Sequence, residues 1–127
     1  MPIMQAGGHA THTVRMGHGP RASLLIHCSL GHAGGWAPMM AALDDLLDAK
    51  AFDLPGHGRS ADWDGESEIQ GLSTDIAAAL LDGHAPADVI GHSFGGTVAL
   101  RLAVERPELV RSLVLVEPVF VAVALAD

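Results

Sequence analysis

Cysteine is nearly absent from this chain. Cys28 is the one thiol in 127 residues, so no internal disulfide can form. A reducing, cytoplasmic setting fits that usage. Basic side chains are scarce, 7 against 15 acidic ones, for a net charge of −8. Such a surface repels nucleic acid and anionic lipid, so neither is an expected partner. No apolar stretch reaches the roughly 18 residues that a bilayer span needs. The longest candidate, 113–125, is broken by Glu117 and Pro118. The N-terminus, MPIMQAGGHATH, lacks the basic start and apolar run of a signal peptide. Repeats, linkers and low-complexity segments are missing as well. Histidine is missing beyond residue 92: all eight (His9, His12, His18, His27, His32, His57, His84 and His92) lie in the first three quarters of the chain.

What is present is an ordinary core-forming composition, with 49% hydrophobic and 17% charged residues. The length suits one domain and is too short for two. Residues 1–20 are rich in Gly and His and carry little periodicity. The expectation there is a disordered start with one short strand in Thr11–Met16, then a turn at Gly17-His18-Gly19-Pro20. Ala22–His27 is a continuous apolar run, the mark of a strand buried on both faces. A Gly-rich loop follows from Cys28 to Gly35. From Trp36 to Ala49 the apolar residues Trp36, Met39, Met40, Leu43, Leu46 and Leu47 fall at helical spacing, with Asp44, Asp45 and Asp48 on a solvated face. Lys50–Leu54 is a short strand candidate, ended by Pro55-Gly56-His57-Gly58.

The pattern then repeats. Glu68–Leu81 reads as an amphipathic helix and Asp88–His92 as a strand. Gly95–Glu105 reads as a helix closed by Pro107, and Ser112–Val116 as a last buried strand. Strands thus alternate with helices from residue 22. Apolar strands without in–out alternation imply a mostly parallel sheet covered by helices on both faces. The fold class is α/β, doubly wound.

Gly91-His92-Ser93-Phe94-Gly95 matches G-x-S-x-G, which alone is modest evidence. Its setting between a strand and a helix adds weight, because nucleophilic chemistry needs the serine lifted on a sharp, strained turn. Gly91 and Gly95 leave room where strand and helix pass close together. The start of the helix also presents backbone N–H groups, among them that of Phe94, to a developing oxyanion. The competing reading is a plain Gly-rich strand–helix turn.

Four further stretches fall in order along the chain. His27-Cys28-Ser29-Leu30-Gly31 follows the first buried strand, and Ala33-Gly34-Gly35-Trp36 completes its loop. Asp53-Leu54-Pro55-Gly56-His57-Gly58-Arg59-Ser60 follows the next strand. Arg106-Pro107-Glu108 and the Leu113–Pro118 strand end come last. With Gly91–Gly96 these make the chain similar to the N-terminal portion of the α/β-hydrolase family, in its serine hydrolase branch.

The resemblance implies a nucleophile elbow with Ser93 as nucleophile. It implies an oxyanion hole from the N–H groups of Phe94 and Ser29. Cys28 stands where the family usually has Gly, and Leu30 is the fallback donor. Leu30 and His92 are the expected substrate contacts. Met39 and Met40 are expected in the core, one of them lining the acyl pocket. No cofactor and no metal is implied: His9-x-x-His12 has no evident third ligand, and Gly31–Gly35 lacks the Lys-Ser/Thr of a phosphate loop.

A serine at the elbow points to acyl transfer on an ester, thioester or similar small-molecule carbonyl substrate through an acyl-enzyme. The family order runs Ser, Asp or Glu, then His. Glu117, at the end of the last strand, is the candidate acid; the alternative is a solvated carboxylate at a strand end. No histidine follows Ser93. His27 most often braces the oxyanion loop in this family, and His57 is expected to be structural. The chain is therefore expected to be a single partial α/β-hydrolase domain over residues 1–127, a truncated form with little activity. Two alternatives stay open: a non-catalytic pseudo-enzyme or binding fragment of the same fold, and a lyase or cofactor-free peroxidase using the same triad. With no neighbour beyond it, strand 112–116 is expected to promote self-association.

Overall fold

Ser23 to His27 have no exposed member, because this strand lies inside a sheet with helices on either side. The computed structural model describes residues 3–119. Six strands form one sheet: β1 (Ile3–Ala6), β2 (His9–Met16), β3 (Arg21–Ile26), β4 (Leu47–Phe52), β5 (Ala87–His92) and β6 (Val110–Val116). Their order across the sheet is β1-β2-β4-β3-β5-β6. The four strands β4, β3, β5 and β6 run parallel, and β2 and β1 add an antiparallel edge.

Alternation along the strands divides the core into two layers. Leu24, Ile26, Phe52 and Val89 face α2 (Ile69–Leu81) and α3 (Phe94–Glu105), where they meet Ile76, Leu80, Val98 and Leu102. Leu25, Ala49, Ala51 and Ile90 face the opposite side, against Met40 of α1 (Ala37–Leu43) and Ala33 of the 3-10 turn before it. The centre of the sheet is therefore covered on both faces, but β6 is not the buried strand its apolar run suggests. Leu113 and Leu115 pack on the core while Ser112, Val114 and Val116 face outward, because no helix covers that side of β6 among the described residues. None of the described helices is long and apolar enough to cross a membrane.

Two other local expectations are overturned. The helix expected over Trp36–Ala49 ends at Leu43, and the strand expected over 50–54 begins at Leu47. Local periodicity favours helix there, but tertiary pairing wins. Leu47, Asp48 and Ala49 lie beside Arg21, Ala22 and Ser23 of β3, and Ala49 pairs with Met16 of β2. The Gly17–Gly19 turn completes the capture: His18 N–H donates to Asp44 O at 2.7 Å and Gly19 N–H to Leu47 O at 3.0 Å. Leu47 is buried as a strand residue, whereas Leu46 is exposed. The acidic trio does not share a helix face either. Asp48 lies in β4 and pairs with Arg15 of β2 at 2.7 Å.

The chain start is likewise ordered. Residues 3–16 form a hairpin over Gly7-Gly8, and Thr11, His12 and Thr13 are buried. Antiparallel pairing to β4 secures this segment, and nothing in its local pattern announces that.

Parallel strand order turns at β3. The chain leaves β3 towards β4 on one side, while β5 lies on the other. Loops from the carboxyl ends of β3 and β5 consequently diverge and leave a crevice between them. Ile26 and Gly91 stand side by side in the register, so the loops beginning at His27 and Ser93 share that crevice.

Candidate active site

Ser93 sits between the last residues of β5 and the first of α3, with φ 55° and ψ −117°. A non-glycine residue in this region is costly, on the order of 1–3 kcal/mol, and persists only where its surroundings enforce it. Three contacts do so. Ser93 N–H donates to Val116 O at the end of β6, at 2.9 Å. Ser93 O accepts from Gly96 N–H at 2.9 Å. The glycines allow the third: a Cβ on Gly91 would overlap the backbone of Gly95, and one on Gly95 would overlap the carbonyl oxygens of Ile26 and His27. The turn is thus pressed against the end of β3. Phe94 opens α3, where the first N–H groups have no intrahelical partner. Its N–H is one of these free donors at a positive helix end.

The facing loop runs from His27 to Trp36. Two histidines tie it to the Pro55–Gly58 turn. His27 Nε2 accepts the Leu54 N–H at 2.9 Å, and His27 Nδ1 lies 2.6 Å from Cys28 O. His57 Nε2 accepts the Leu30 N–H at 3.0 Å, and His57 Nδ1 lies 3.0 Å from Pro55 O. The partners set the tautomers, since a backbone N–H only donates and a carbonyl only accepts. Both rings are therefore neutral and protonated on Nδ1. They pack at 5.1 Å between centroids with 59° between planes. Burial pushes the His27 pKa down, the Cys28 carbonyl opposes this, and His57 adds to it.

Asp53 anchors the far end of the loop. It is buried, and its oxygens accept from Ala33 N–H at 2.7 Å, Arg59 N–H at 2.9 Å and His12 Nδ1 at 2.8 Å. Burial alone would raise its pKa, but the Ala33 and Arg59 N–H groups and His12 outweigh that and hold the carboxyl below its ordinary value. Ser60 closes the arrangement, donating to Asp53 O at 2.6 Å and accepting from His12 N–H at 3.0 Å.

Beside the His27–Trp36 loop, and reaching His92 and Val116, lies an open cavity of about 530 Å³ whose lining does not include Ser93, Phe94 or Ser29. Its wall includes Leu30, Trp36, Pro38, Met39, His92 and Val116, with His27, Cys28 and His32 also contributing. Leu30 and His92, the expected substrate contacts, thus border one space. Leu30 is 97% exposed, with φ 66°. The methionines divide: Met40 is buried in the core and Met39 lines the cavity. Ser29 is exposed in the loop one residue before Leu30. Glu117 is exposed, with φ 47°, directly after the carbonyl that receives the Ser93 N–H. The His9 and His12 pair does not converge: His9 Nε2 meets Ala61 O at 2.8 Å, while His12 turns inward to Asp53.

Neither the grip of Asp53 on the facing loop nor the inward turn of His12 is expected from the sequence, where Asp53 is one residue of the Asp53–Ser60 stretch and His12 half of a metal-ligand spacing. A carboxylate just before a Pro-Gly turn at the end of an apolar strand was the available signal for Asp53. His12 had none, because its partner lies 41 positions away.

A family profile described as "Alpha/beta hydrolase family" matches residues 24–127. Lipase LipV of Mycobacterium tuberculosis is 43% identical over 113 residues, covering 84% of this chain and 41% of the lipase. A pimeloyl-(acyl-carrier protein) methyl ester esterase of Nitrosomonas europaea is 38% identical over 105 residues, covering 83% of this chain and 40% of the esterase. Among solved structures, an alpha/beta hydrolase fold protein from Burkholderia ambifaria superposes with a TM-score of 0.80 at 26% identity, covering 93% of this chain and 44% of that one. The chain spans less than half the length of these relatives.

Proposed function

Because this chain belongs to the alpha/beta hydrolase family, we propose that it carries the nucleophile half of a serine hydrolase that cleaves an ester, thioester or similar carbonyl compound through an acyl-enzyme. One observation carries the reading. Ser93 is held in a strained conformation at the head of α3, and its chain neighbour His92 and hydrogen-bond partner Val116 line an open cavity with largely apolar walls. Strain of this kind, enforced from three sides, serves a reactive side chain better than a plain turn.

In the proposed reaction Ser93 Oγ attacks the carbonyl carbon and passes its proton to a base. The former carbonyl oxygen becomes an oxyanion, held by the N–H groups of Phe94 and Ser29. Collapse of that intermediate expels the alcohol or thiol and leaves an acyl-serine, which water then hydrolyses. The relatives' names, a lipase and a methyl ester esterase, favour oxygen esters as the substrate class. Leu30, Met39 and Trp36 supply apolar surface for the acyl or alcohol part, and His92 borders it. Glu117 is proposed as the acid, on its position after the Val116 carbonyl that anchors Ser93.

No histidine among these 127 residues follows Ser93. His27 and His57 have both ring nitrogens engaged by backbone groups, so neither is free to take the serine proton. We therefore expect this 127-residue chain to turn over p-nitrophenyl acetate only at the level left by oxyanion donors, about 10³-fold above water. Ser93-dependent turnover of about 1–10 per second, an ordinary enzyme rate, would show that a working base is present. A fluorophosphonate probe tests the nucleophile itself. Slow labelling that disappears in Ser93→Ala supports the reading, and equal labelling of both proteins refutes it.

A further inference from the structure

The loop opposite Ser93 offers two adjacent backbone N–H groups, those of Ser29 and Leu30, either of which could serve as the second oxyanion donor. The structure distinguishes them. Leu30 N–H is already given to His57 Nε2 at 3.0 Å, whereas Ser29, the preceding residue, is exposed. We propose that His57 is a positioning residue that withdraws the Leu30 N–H from the site, fixing the loop so that Ser29 alone supplies the second donor.

The geometry gives His57 this capacity. Its ring sits in the Pro55–Gly58 turn and is held from behind by the Pro55 carbonyl, which demands a proton on Nδ1. Nε2 is then a bare acceptor aimed at the loop. Leu30 has φ 66°, uncommon for a non-glycine residue, and two bonds hold it there: the Gly31 N–H to Cys28 O at 3.1 Å, which closes the turn around it, and its own N–H to His57 Nε2. The turn itself is anchored independently. Gly56 N–H donates to Ala61 O at 2.9 Å and His57 N–H to Leu54 O at 2.9 Å. Asp53 grips Ala33 on the same loop. His57 thus ties a loop with a strained residue to a turn that does not depend on that loop for its shape.

This assignment rests on Ser29 and Ser93 acting as proposed, but its test does not. In uniformly nitrogen-15-labelled protein, a scalar coupling across the N–H···N bond links the Leu30 amide nitrogen to His57 Nε2. We expect that coupling, together with a His57 Nε2 shift characteristic of an unprotonated ring nitrogen. Leu30 amide exchange should quicken by about three- to tenfold in His57→Ala, the loss expected for one neutral hydrogen bond. His57→Gln, whose amide oxygen can accept the same N–H, should restore much of the protection. The Leu54 amide, bonded to His27 Nε2, serves as the internal control and should keep its coupling in both variants.

A His57 ring protonated on Nε2, or Leu30 exchange equal in the parent and His57→Ala, overturns the proposal. Should either variant fail to fold, the coupling and the ring shift in the unaltered protein decide alone. Failure of fluorophosphonate labelling would count against Ser93 as nucleophile and leave these signals where they are.

Discussion

Removing the Asp53 carboxylate should strongly destabilise the domain. In Asp53→Ala three donors lose their acceptor at once: Ala33 N–H, Arg59 N–H and His12 Nδ1. His12 and Ala33 are buried beside it, so water does not readily replace the lost bonds. An unsatisfied buried donor costs about 1–3 kcal/mol. Two such donors and one partly exposed one suggest a loss of about 3–5 kcal/mol. A chain of this size typically holds about 6–15 kcal/mol in all, so the variant would lose a substantial share of its stability. Asp53→Asn should be milder. Its oxygen can still serve Ala33, and His12 can present a bare Nδ1 to the new NH₂ group, so Arg59 bears most of the loss. Urea denaturation followed by circular dichroism at pH 7 reads both differences. A loss below about 1 kcal/mol for Asp53→Ala would show that the loop is held by something else and would refute the reasoning.

The elbow makes a sharp pair: Gly95→Val should unfold the chain, since its side chain enters the Ile26 and His27 carbonyls, while Ser93→Ala should leave the melting temperature within a degree or two. Equal melting of Gly95→Val and the parent would contradict the close approach. Stability should also depend on pH through His27, whose folded pKa lies below the ordinary 6.5 because its ring is buried. A lowered value means that the stability is complete above about 6.5 and is lost as pH falls through the folded value. Asp53, and Asp88, which the Arg111 and Arg21 guanidinium groups hold below the ordinary 3.8, act only in more acid solution. The urea midpoint should therefore drop between pH 7 and pH 5, and the drop should shrink in His27→Gln; an unchanged step would assign it to another group.

Self-association is expected through β6, which pairs only with β5 among the described residues and exposes Val114 (46%) and Val116 (40%). Phe120 and Val121, which the sequence adds to this patch, lie outside the described residues. A concentration-independent monomer at tens of micromolar by size-exclusion chromatography would rule that out.

Short-range pattern carried much of this protein. The apolar run at Ala22–His27 reads as a buried strand because both faces of its centre meet side chains, whereas Ser112–Val116, which reads the same way, covers only the face of Leu113 and Leu115 and leaves Val114 and Val116 exposed. The amphipathic period of residues 68–81 and 95–105 placed α2 and α3 within a residue of their ends. The tight strand–helix turn at Ser93 was legible as well, because glycines two positions to either side are its local mark. These features depend on neighbours a few residues apart, which is the range over which a linear pattern is informative.

Other features depended on partners that only the folded chain brings together. Leu46 and Leu47 fit a helix until β3 and β2 compete for the same backbone hydrogen bonds, and two strands offer more than one further helical turn. The His12–Asp53 pair, the Ala33 anchor and the His57–Leu30 bond span 41, 20 and 27 positions. No periodicity encodes such spacings. They follow from sheet order, which sets β2 beside β4 and β4 beside β3, and so brings the loops at their ends within hydrogen-bond reach. The residue types were written in the chain, but their pairing was a consequence of strand neighbours that local propensity does not choose.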